Sequence, residues 1–348
     1  MVRVSRTPWG SHLGQDVSLY VLQGEGLRAA VSNYGALLQS LVTEDAPGGL
    51  SDLVLGYDSL KEYLEGESFF GASIGPVADR MAGGSCEVGG RTVRLPRNAG
   101  PDSMHSGPGG FHSRLWEADI LEDGVAFTGV FPEEPDGFPG TLTARLAYRL
   151  LPGRALRLEY AASCTRETAL SFTNHTYFNL SGAKTDCRGH MLRLNADFYA
   201  ETNCGIDPLV TGRFLGVAGT PLDFREGAVI GDAVSRLEHP EIRSAGGVDH
   251  FFSVRGAGFR EMAELLSPKD GLRLACFSDA DGLMVYTGNF IAPGTRGKAG
   301  AAYGPNSGVC LETGQPPNAV NFPAHRARVV KAAGEVYQAA TEYRLERL

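Results

Sequence analysis

The chain has 348 residues, 43% of them hydrophobic and 21% charged, with a formal net charge of −8 at pH 7. This composition provides for a sizeable core. The lack of any cluster of Lys and Arg argues against a nucleic-acid partner, whose phosphates would need such a cluster. The N-terminus has no signal-peptide pattern and no run of 18 or more apolar residues occurs, which argues against secretion and against a membrane partner.

The cysteines are scattered along the chain without a CxxC pair. Such spacing argues against a zinc site or a dense disulfide framework. It favours free thiols in a reducing cytoplasm, and a secreted protein stays open as the alternative. The cysteines are Cys86, Cys164, Cys187, Cys204, Cys276 and Cys310.

The first half of the chain predicts short strands, one helix and two hairpins. Residues 16–23 alternate like a strand, and Ser59 with Glu62 three residues later forms a capping box for one short helix. The dipeptide Gly89-Gly90 separates two alternating segments and suits a two-residue hairpin turn. A longer alternating pair of segments is joined at Pro152-Gly153, which predicts a second hairpin.

The second half continues in the same way. Alternating or apolar runs predict strands at 190–196, 271–278, 282–289 and 307–313. A second helix is expected within 227–242. Glycine accounts for 46 of the 348 residues, about 13% against roughly 7% in average proteins, which indicates many tight turns. These features predict one all-β domain over residues 1–348, a sandwich or a barrel.

The stretch SFTNHTYFNLSG at 171–182 places a histidine among aromatic and amide side chains. If the stretch is one strand, Thr173, His175, Tyr177 and Asn179 share one face and the more apolar alternate residues face the core. That polar face is either the wall of a cleft or a solvated sheet surface. A histidine that only packs in the core is a third interpretation.

Four further polar residues are candidates. Glu312 follows an apolar run, where an ionised carboxylate is costly unless it is paired or reaches a cleft; the alternative is an edge strand that meets water. Asp249 and His250 precede two phenylalanines, which is a weak pattern on its own. His105 lies in a loop rich in Gly and Pro, and such loops either carry function or merely connect.

The familiar cofactor motifs do not occur in the sequence. It contains no P-loop, no G-x-G-x-x-G after a strand, no G-x-S-x-G and no H-E-x-x-H. We therefore predict no cofactor and no metal. The His, Glu and Asp side chains that remain are the groups that enzymes use for proton transfer.

Eight segments in register make the chain resemble the aldose 1-epimerases, also called galactose mutarotases, over nearly its full length. The segments are YGALLQSLV, DLVLGYDSLKEYL, FFGASIGPVADRMAGG, LPRNAGPDSMHSGPGGFHSRLW, TNHTYFNLSG, GGVDHFF, LMVYTGNF and GVCLETGQPPNAVNFP. The resemblance implies a large antiparallel β-sandwich, the galactose mutarotase-like supersandwich, with few short helices and an open sugar-binding cleft. It also implies interconversion of the α and β anomers of a free aldose such as galactose or glucose.

The resemblance implies roles for two residues in particular. By position in the motifs, His175 is the acid at the ring oxygen and Glu312 is the base at the anomeric hydroxyl. A carboxylate near the imidazole, with Asp249 as the candidate, would favour its protonated form. We therefore expect a bell-shaped pH profile, with a carboxylate on the acid limb and the imidazole on the alkaline limb.

Other residues would hold the sugar. Arg80, His105 and Asp249 match family positions that bind sugar hydroxyls, Tyr177 would line the cleft beside the catalytic histidine, and Asp79 adjoins the arginine. The expected partner is a monosaccharide, and the expected assembly is a monomer or a homodimer.

The chain departs from the family pattern at several positions. Where the family reads G-R-x-A-N-R-I, this chain has Pro76 for an arginine and Asp79 for the asparagine. The usual glutamine before YTGN is Met284, and LETQ…PD becomes LETG…PN with Gly314 and Asn318. Because hydrogen-bonding groups change while the acid and base remain, we expect ring-opening chemistry, and the preferred sugar stays open.

Other functions also stay open. A sugar-phosphate epimerase would need a basic pocket, which Pro76 in place of an arginine disfavours. A catalytically weak sugar-binding or sensor protein would fit the altered pocket. A glycosidase would use Glu312 and Asp249 as its carboxylate pair.

Overall fold

Antiparallel strands joined by short turns make up most of the computed structural model, which describes residues 1–46, 49–66 and 68–348. The strands, in chain order, are β1 (Arg3–His12), β2 (Gln15–Gln23), β3 (Leu27–Ser32), β4 (Leu38–Thr43), β5 (Ser51–Asp52), β6 (Ala72–Ile74), β7 (Arg80–Met81), β8 (Ser85–Val88), β9 (Arg91–Arg94), β10 (Ser103–Met104), β11 (Glu117–Ile120), β12 (Gly124–Phe131), β13 (Leu142–Leu151), β14 (Ala155–Cys164), β15 (Thr168–Ala169), β16 (Thr173–His175), β17 (Tyr177–Phe178), β18 (Met191–Leu194), β19 (Ala196–Thr202), β20 (Val210–Gly216), β21 (Ala228–Val229), β22 (Asp249–Val254), β23 (Arg260–Ser267), β24 (Leu272–Ser278), β25 (Gly282–Tyr286), β26 (Thr295–Arg296), β27 (Ala302–Tyr303), β28 (Val309–Gly314), β29 (Val330–Lys331) and β30 (Tyr337–Arg347).

Helices are short and lie between strands. The α-helices are α1 (Leu60–Glu65), α2 (Ile230–Val234), α3 (Pro240–Ala245) and α4 (Pro323–Val329), and single 3-10 turns lie at Ala82–Gly84, Phe111–Ser113, Cys187–Gly189, Lys298–Gly300 and Ala319–Asn321. Within the three described ranges, none of these helices has the length and apolar character that crossing a membrane requires.

Three sheets of five or more strands organise the described part of the chain. The N-terminal sheet follows the chain in the order β1-β2-β3-β4-β5, and the large sheet has the order β11-β12-β13-β14-β30-β24-β23-β18-β21. The third sheet, which we call the cavity sheet, has the order β17-β28-β25-β22-β19-β20. Adjacent strands pair antiparallel in all three.

The cavity sheet packs one of its faces on the large sheet. Phe178 of β17 lies against Tyr343 of β30 with ring centroids 4.7 Å apart, and the Tyr343 hydroxyl donates to the carbonyl of Leu311 in β28 at 3.0 Å. These residues belong to a core cluster that draws on both sheets. The predicted antiparallel β-sandwich is therefore confirmed, and the cavity sheet has its other face available for a site.

Both predicted hairpins are present. Gly89 and Gly90 have φ of 60° and 73° and join β8 to β9 in a two-residue turn, a conformation that glycine adopts without steric cost. Gly153 lies in the three-residue turn that joins β13 to β14, whose residues pair continuously from Leu142 with Cys164 to Leu151 with Ala155. In this hairpin the alternation of side chains predicted the strands because one face of each strand is buried.

One predicted helix is confirmed and the other is not a single helix. Ser59 caps α1 in the predicted capping box, since its hydroxyl accepts from the Glu62 amide while the Glu62 carboxylate accepts from the Ser59 amide. The expected helix within 227–242 is instead two helices, α2 and α3. Pro240 occupies the first turn of α3, where its missing N–H leaves no hydrogen bond unmade, and it could not continue a helix from α2.

Candidate active site

An open cavity of about 220 Å³ lies on the free face of the cavity sheet. The strands form its floor, and loops around residues 69, 105, 208 and 290 contribute its walls. All of the residues predicted to act on or hold a sugar line this cavity: His175, Glu312, Arg80, His105, Asp249, Tyr177 and Asp79. Residues from five separate segments of the chain thus meet in one place.

The register of the cavity sheet explains how these distant residues meet. Directly opposed residues in an antiparallel pair share a face, and so do residues two apart on one strand. Tyr286 of β25 lies opposite both Cys310 of β28 and Asp249 of β22. Glu312, two residues after Cys310, lies opposite Met284. The five side chains therefore belong to the same face of the sheet, the face that bears the cavity.

The stretch 171–182 is not one strand, contrary to the expectation. β16 pairs with β6, whereas β17 pairs with β28, so the chain changes its partner between them. His175 and Tyr177 line the cavity, but Thr173 and Asn179 do not, and the Asn179 amide instead donates to carbonyl oxygens of two loops. All four residues are buried, so the alternative of a solvated sheet face is wrong.

His175 is held in a buried, aromatic setting. It is 5% exposed, and its ring stacks on that of Tyr177 with centroids 4.9 Å apart. Nε2 lies 3.7 Å from Oε1 of Glu312, and Nδ1 lies 3.5 Å from Sγ of Cys310. Burial lowers the pKa of His175 to about 3. The expected stabilisation of the imidazolium by Asp249 is therefore not found, because burial is the largest cause of the shift and disfavours the charged ring.

Glu312 lies on an internal strand, since β28 is flanked by β17 and β25. The edge-strand interpretation is therefore wrong. The side chain is 6% exposed, and no donor in the described ranges gives its carboxylate a hydrogen bond. Burial raises the pKa of Glu312 well above its usual range, and the negative charges of Asp79 and Asp249 raise it further. These directions favour a protonated carboxyl group on Glu312 together with a neutral imidazole on His175.

These directions reverse the expected limbs of the pH profile. An imidazole with a pKa near 3 gains its proton on the acid side of the profile. A carboxyl group with a raised pKa loses its proton on the alkaline side. The pair formed by His175 and Glu312 holds a single proton between these two limits, and the sequence could not reveal this because burial sets both shifts.

One wall of the cavity carries two carboxylates and a guanidinium. Asp79 has φ of 64°, a left-handed conformation that Asp and Asn adopt more readily than most residues, and it accepts from the Arg80 amide at 2.5 Å. Burial raises the pKa of Asp79, and it raises that of Asp249 to about 7 with the charge of Asp79 as a further cause. Nη1 of Arg80 is buried and has no hydrogen-bond partner in the part of the chain that the structure describes, so this donor can serve a ligand oxygen.

His105 is fixed by the backbone of Asp79. Its Nδ1 accepts from the Asp79 amide at 3.0 Å, and its own amide donates to the Asp79 carbonyl at 3.1 Å. Burial lowers the pKa of His105 well below its usual range, with His175 as the next cause. The neutral ring therefore carries its hydrogen on Nε2, which makes that nitrogen a donor.

Two residues of the site were not predicted. Phe69 packs its ring edge-on against His105 at 4.7 Å and lies 5.7 Å from the ring of His175, so it helps to fix both imidazoles. Cys310 lies beneath the cavity in contact with His175. Neither residue has a local pattern that marks it. The alternation of β28 offered one signal, since Cys310 precedes Glu312 by two residues and so shares its face.

His250 supports the backbone of Asp249. Its Nδ1 accepts from the Asp249 amide at 3.1 Å, and its Nε2 lies 3.2 Å from Oε2 of Glu241 in α3. Glu241 in turn accepts from the amide and hydroxyl of Thr202. The weak sequence pattern around His250 thus corresponds to a buried hydrogen-bond network behind the cavity wall.

The departures from the family pattern divide into two groups. Asp79 and Met284 line the cavity. Pro76 and Gly314 do not, and Asn318 instead accepts hydrogen bonds from Ala82 and Asn321 in neighbouring loops. Three of the five departures therefore lie outside the cavity lining. The cavity itself differs at two lining positions.

A β-sandwich that holds an imidazole and a carboxyl group 3.7 Å apart in an open polar cavity defines an acid–base enzyme. The model of the family described as aldose 1-epimerase matches residues 18–344. Galactose mutarotase of Bos taurus is 34% identical over 348 residues, 99% of both chains, and aldose 1-epimerase of Escherichia coli K12 is 32% identical over 345 residues, 98% of both chains. The chain belongs to the aldose 1-epimerase family, as its motifs predicted.

Solved structures agree with this assignment at the level of the fold. Galactose 1-epimerase of Lactobacillus acidophilus matches with a TM-score of 0.86 at 24% identity, covering 100% of this chain and 99% of that one. An aldose epimerase homologue from C. elegans matches with a TM-score of 0.85 at 27% identity, covering 93% of this chain and 97% of that one.

Proposed function

We propose that this protein is an aldose 1-epimerase that interconverts the α and β anomers of a free hexose, such as galactose or glucose, in the cavity. The relatives that bear these names support the proposal because the similarity spans nearly the whole of both chains. The observation that carries it is the 3.7 Å contact between His175 and Glu312. Two proton-exchanging groups this close together can act on two oxygens that are bonded to one carbon atom.

The proposed reaction moves one proton from one sugar oxygen to another. The carboxylate of Glu312 takes the proton of the anomeric hydroxyl, the bond between C1 and the ring oxygen breaks, and His175 gives its proton to the ring oxygen. The product is the open-chain aldehyde. After rotation about the C1–C2 bond, both proton transfers run in reverse, and the ring closes on the other face of the carbonyl. Each positioned transfer typically contributes on the order of 100- to 10,000-fold to the rate.

The pair needs one proton in total, and sugar binding decides which residue holds it. In the empty cavity the pKa directions put this proton on Glu312. Sugar hydroxyls that donate to the Glu312 carboxylate would stabilise its charged form and lower its pKa. The proton would then pass across the 3.7 Å gap to His175, which gives the imidazolium that ring opening requires.

Charge in the cavity favours a sugar without a phosphate. Asp79, Asp249 and Glu312 contribute three carboxyl groups to the lining, whereas Arg80 is the one lysine or arginine among the described lining residues. A phosphate would meet three carboxyl groups and a single guanidinium, which disfavours a sugar-phosphate substrate. Arg80 and His105 offer N–H donors, and Asp249 offers an acceptor, to the hydroxyls of a neutral hexose.

Polarimetry of freshly dissolved α-D-glucose and α-D-galactose tests this proposal. We expect the wild type to accelerate equilibration, and His175→Ala and Glu312→Gln each to lose about 100- to 10,000-fold of the enzymatic rate. Matched controls are His325→Ala and Glu226→Gln, because neither residue lines the cavity.

Two results would contradict the proposal. A wild type that binds sugars, seen as sugar-dependent thermal stabilisation, yet leaves equilibration unchanged would be a binding protein. Release of the phenol from an aryl glycoside would indicate a glycosidase instead.

A further inference from the structure

Three side chains of different chemistry converge at the floor of the cavity. His175 offers a ring nitrogen, Cys310 a sulfur and Glu312 a carboxylate oxygen, and these ligand atoms all lie within 4.8 Å of one another. We propose that the three side chains bind a divalent late-transition-metal ion such as Zn²⁺, and that the bound ion inhibits the enzyme by occupying its acid and base. The inhibitory part of this inference rests on the proposed function, whereas the metal site stands on its own geometry.

The spacing of the ligand atoms suits a tetrahedral ion. Zinc bonds to nitrogen, oxygen and sulfur at about 2.0 to 2.3 Å, so the ligand atoms of a tetrahedral site lie roughly 3.3 to 3.8 Å apart. Nδ1 of His175 lies 3.5 Å from Sγ of Cys310, and Nε2 lies 3.7 Å from Oε1 of Glu312. The two contacts use different nitrogens of the ring and the ion binds only one of them, so the side chain beside the other nitrogen must rotate toward the ion. The three ligand atoms start within 4.8 Å of one another, which leaves a small adjustment to reach tetrahedral spacing.

The three ligands are positioned by rigid elements. Cys310 and Glu312 are two apart on β28 and therefore share a face, and His175 ends β16 directly before the residues that pair with β28. The pattern of cysteines in the sequence gives no hint of this site, because two of its ligands are not cysteines and one of these, His175, comes from another strand. A set of one thiolate, one imidazole and one carboxylate is the kind that zinc prefers.

The surroundings also favour a cation. Asp79 and Asp249 line the same cavity as Glu312, so their carboxylates, where ionised, would attract a positive ion at its floor. His175 and Glu312 line the open cavity and the buried Cys310 lies behind them, so the fourth position of the ion would face the cavity and could take a water. Three protein ligands with one open position are typical of zinc sites that exchange their metal and bind inhibitors or substrates.

Metal binding is balanced by the release of protons from the ligands. The ion takes the place of the thiol proton of Cys310 and the carboxyl proton of Glu312, both of which pass to solvent, while the neutral imidazole of His175 donates its lone pair. No oxidant or reductant takes part. The sugar cannot then reach either group, so inhibition should be competitive with the aldose.

Calorimetric titration of the metal-free, full-length protein with ZnCl₂ tests the site directly. We expect one equivalent to bind, with affinity at least about 100-fold weaker in Cys310→Ser and in His175→Gln, since even an indirect partner of a metal ligand contributes about 10- to 100-fold. The matched control is Cys276→Ser, a buried cysteine of β24 outside the cluster, which should retain wild-type affinity. Titration with CoCl₂ should give a thiolate-to-cobalt charge-transfer band that Cys310→Ser abolishes.

The outcomes of these titrations distinguish a failure of the metal site from a failure of the proposed function. The site is overturned if the wild type binds no zinc, or if Cys310→Ser and His175→Gln bind zinc as tightly as the wild type does. If Cys310→Ser does not fold, Glu312→Gln and the cobalt band decide the same question. Zinc that binds at the cluster but leaves mutarotation unchanged overturns the inhibition. Wild type that binds zinc yet never accelerates mutarotation, with EDTA present or absent, overturns the proposed function and leaves the metal site in place.

Discussion

Nε2 of His175 and Oε1 of Glu312 lie 3.7 Å apart, although one residue ends β16 and the other lies in β28. We infer that groups this close exchange a proton during the proposed reaction and therefore act as a pair. We therefore expect His175→Ala and Glu312→Gln each to reduce kcat by about 100- to 10,000-fold, and the double variant to lose little more than the weaker single variant. Initial rates by polarimetry, with the uncatalysed rate subtracted, measure this. Losses that multiply in the double variant would mean that the residues act independently.

The pKa of Asp249, which burial raises to about 7, places its titration near neutral pH. A sugar hydroxyl donates a stronger hydrogen bond to a carboxylate than to a carboxylic acid. KM should therefore fall as pH rises through about 7 in the wild type, and Asp249→Asn should have a higher KM without this inflection. KM measured across the neutral range tests both points. The exposed Asp119→Asn is the control, and an inflection that survives in Asp249→Asn would assign it to another group.

Asp79→Asn should make the protein more stable at alkaline pH. Burial raises the pKa of both Asp79 and Asp249, so the native state holds protons that the unfolded chain has already lost near pH 4. The native state binds more protons in that window, and stability falls as pH rises through it. Removing one of the two charges should reduce this fall by up to a few kcal/mol at pH 8 relative to pH 5.

The same variant should shift the titration of Asp249. The charge of Asp79 is a cause of the raised pKa of Asp249, so the inflection in KM should move to lower pH in Asp79→Asn. Asparagine tolerates the left-handed backbone and keeps the oxygen that accepts from the Arg80 amide, so the local structure should persist. Thermal unfolding at two pH values gives the stability. If the wild type and Asp79→Asn lose the same stability between about pH 5 and pH 8, Asp79 carries no charge across this range.

His250 should act as a positioning residue for Asp249. His250→Ala removes the acceptor of the Asp249 amide and leaves a buried Glu241 without its imidazole partner. We expect a loss of about 1 to 3 kcal/mol in stability together with a rise in KM that exceeds any change in kcat. The matched control is His190→Ala, because His190 is a buried histidine whose Nε2 accepts from the Leu180 amide. It should lose similar stability without the change in KM. Equal effects of both variants on KM would make the role of His250 purely structural.

Local chemistry made much of the fold predictable. Gly89-Gly90 predicted a turn because both residues need positive φ, and Ser59 predicted a helix start because its hydroxyl satisfies a free amide. The alternation in β13 and β14 predicted a hairpin because each strand has one buried face. The helix expected within 227–242 is interrupted between Val234, which ends α2, and Pro240, which starts α3 because proline favours the first turn of a helix.

The sequence predicted which residues form the site but not their protonation states. Motif positions brought His175 and Glu312 forward, yet their 3.7 Å contact depends on the pairing of β28 with β17 and β25, which joins segments far apart in sequence. Burial then reverses the protonation that free side chains would have, and burial is a property of the folded chain. The single strand face expected from Thr173 to Asn179 is absent for the same reason. The chain changes its partner strand after His175, and this pairing depends on the tertiary structure.

A substitution of Met284, on the neighbouring strand, should change the protonation of Glu312. The two residues are directly opposed in the pair of β25 and β28, and both line the cavity. Met284→Gln would place an amide donor beside a carboxylate that lacks one, and a hydrogen bond to the charged form lowers a pKa. The alkaline limb of kcat/KM should therefore move to lower pH, and kcat near neutral pH should rise because the shared proton passes more readily to His175. Met284→Leu, which has a similar volume and no amide, should leave the limb where it is in the wild type. If both variants give the same profile, the proton on Glu312 is set by burial alone, and the amide at this position does not tune it.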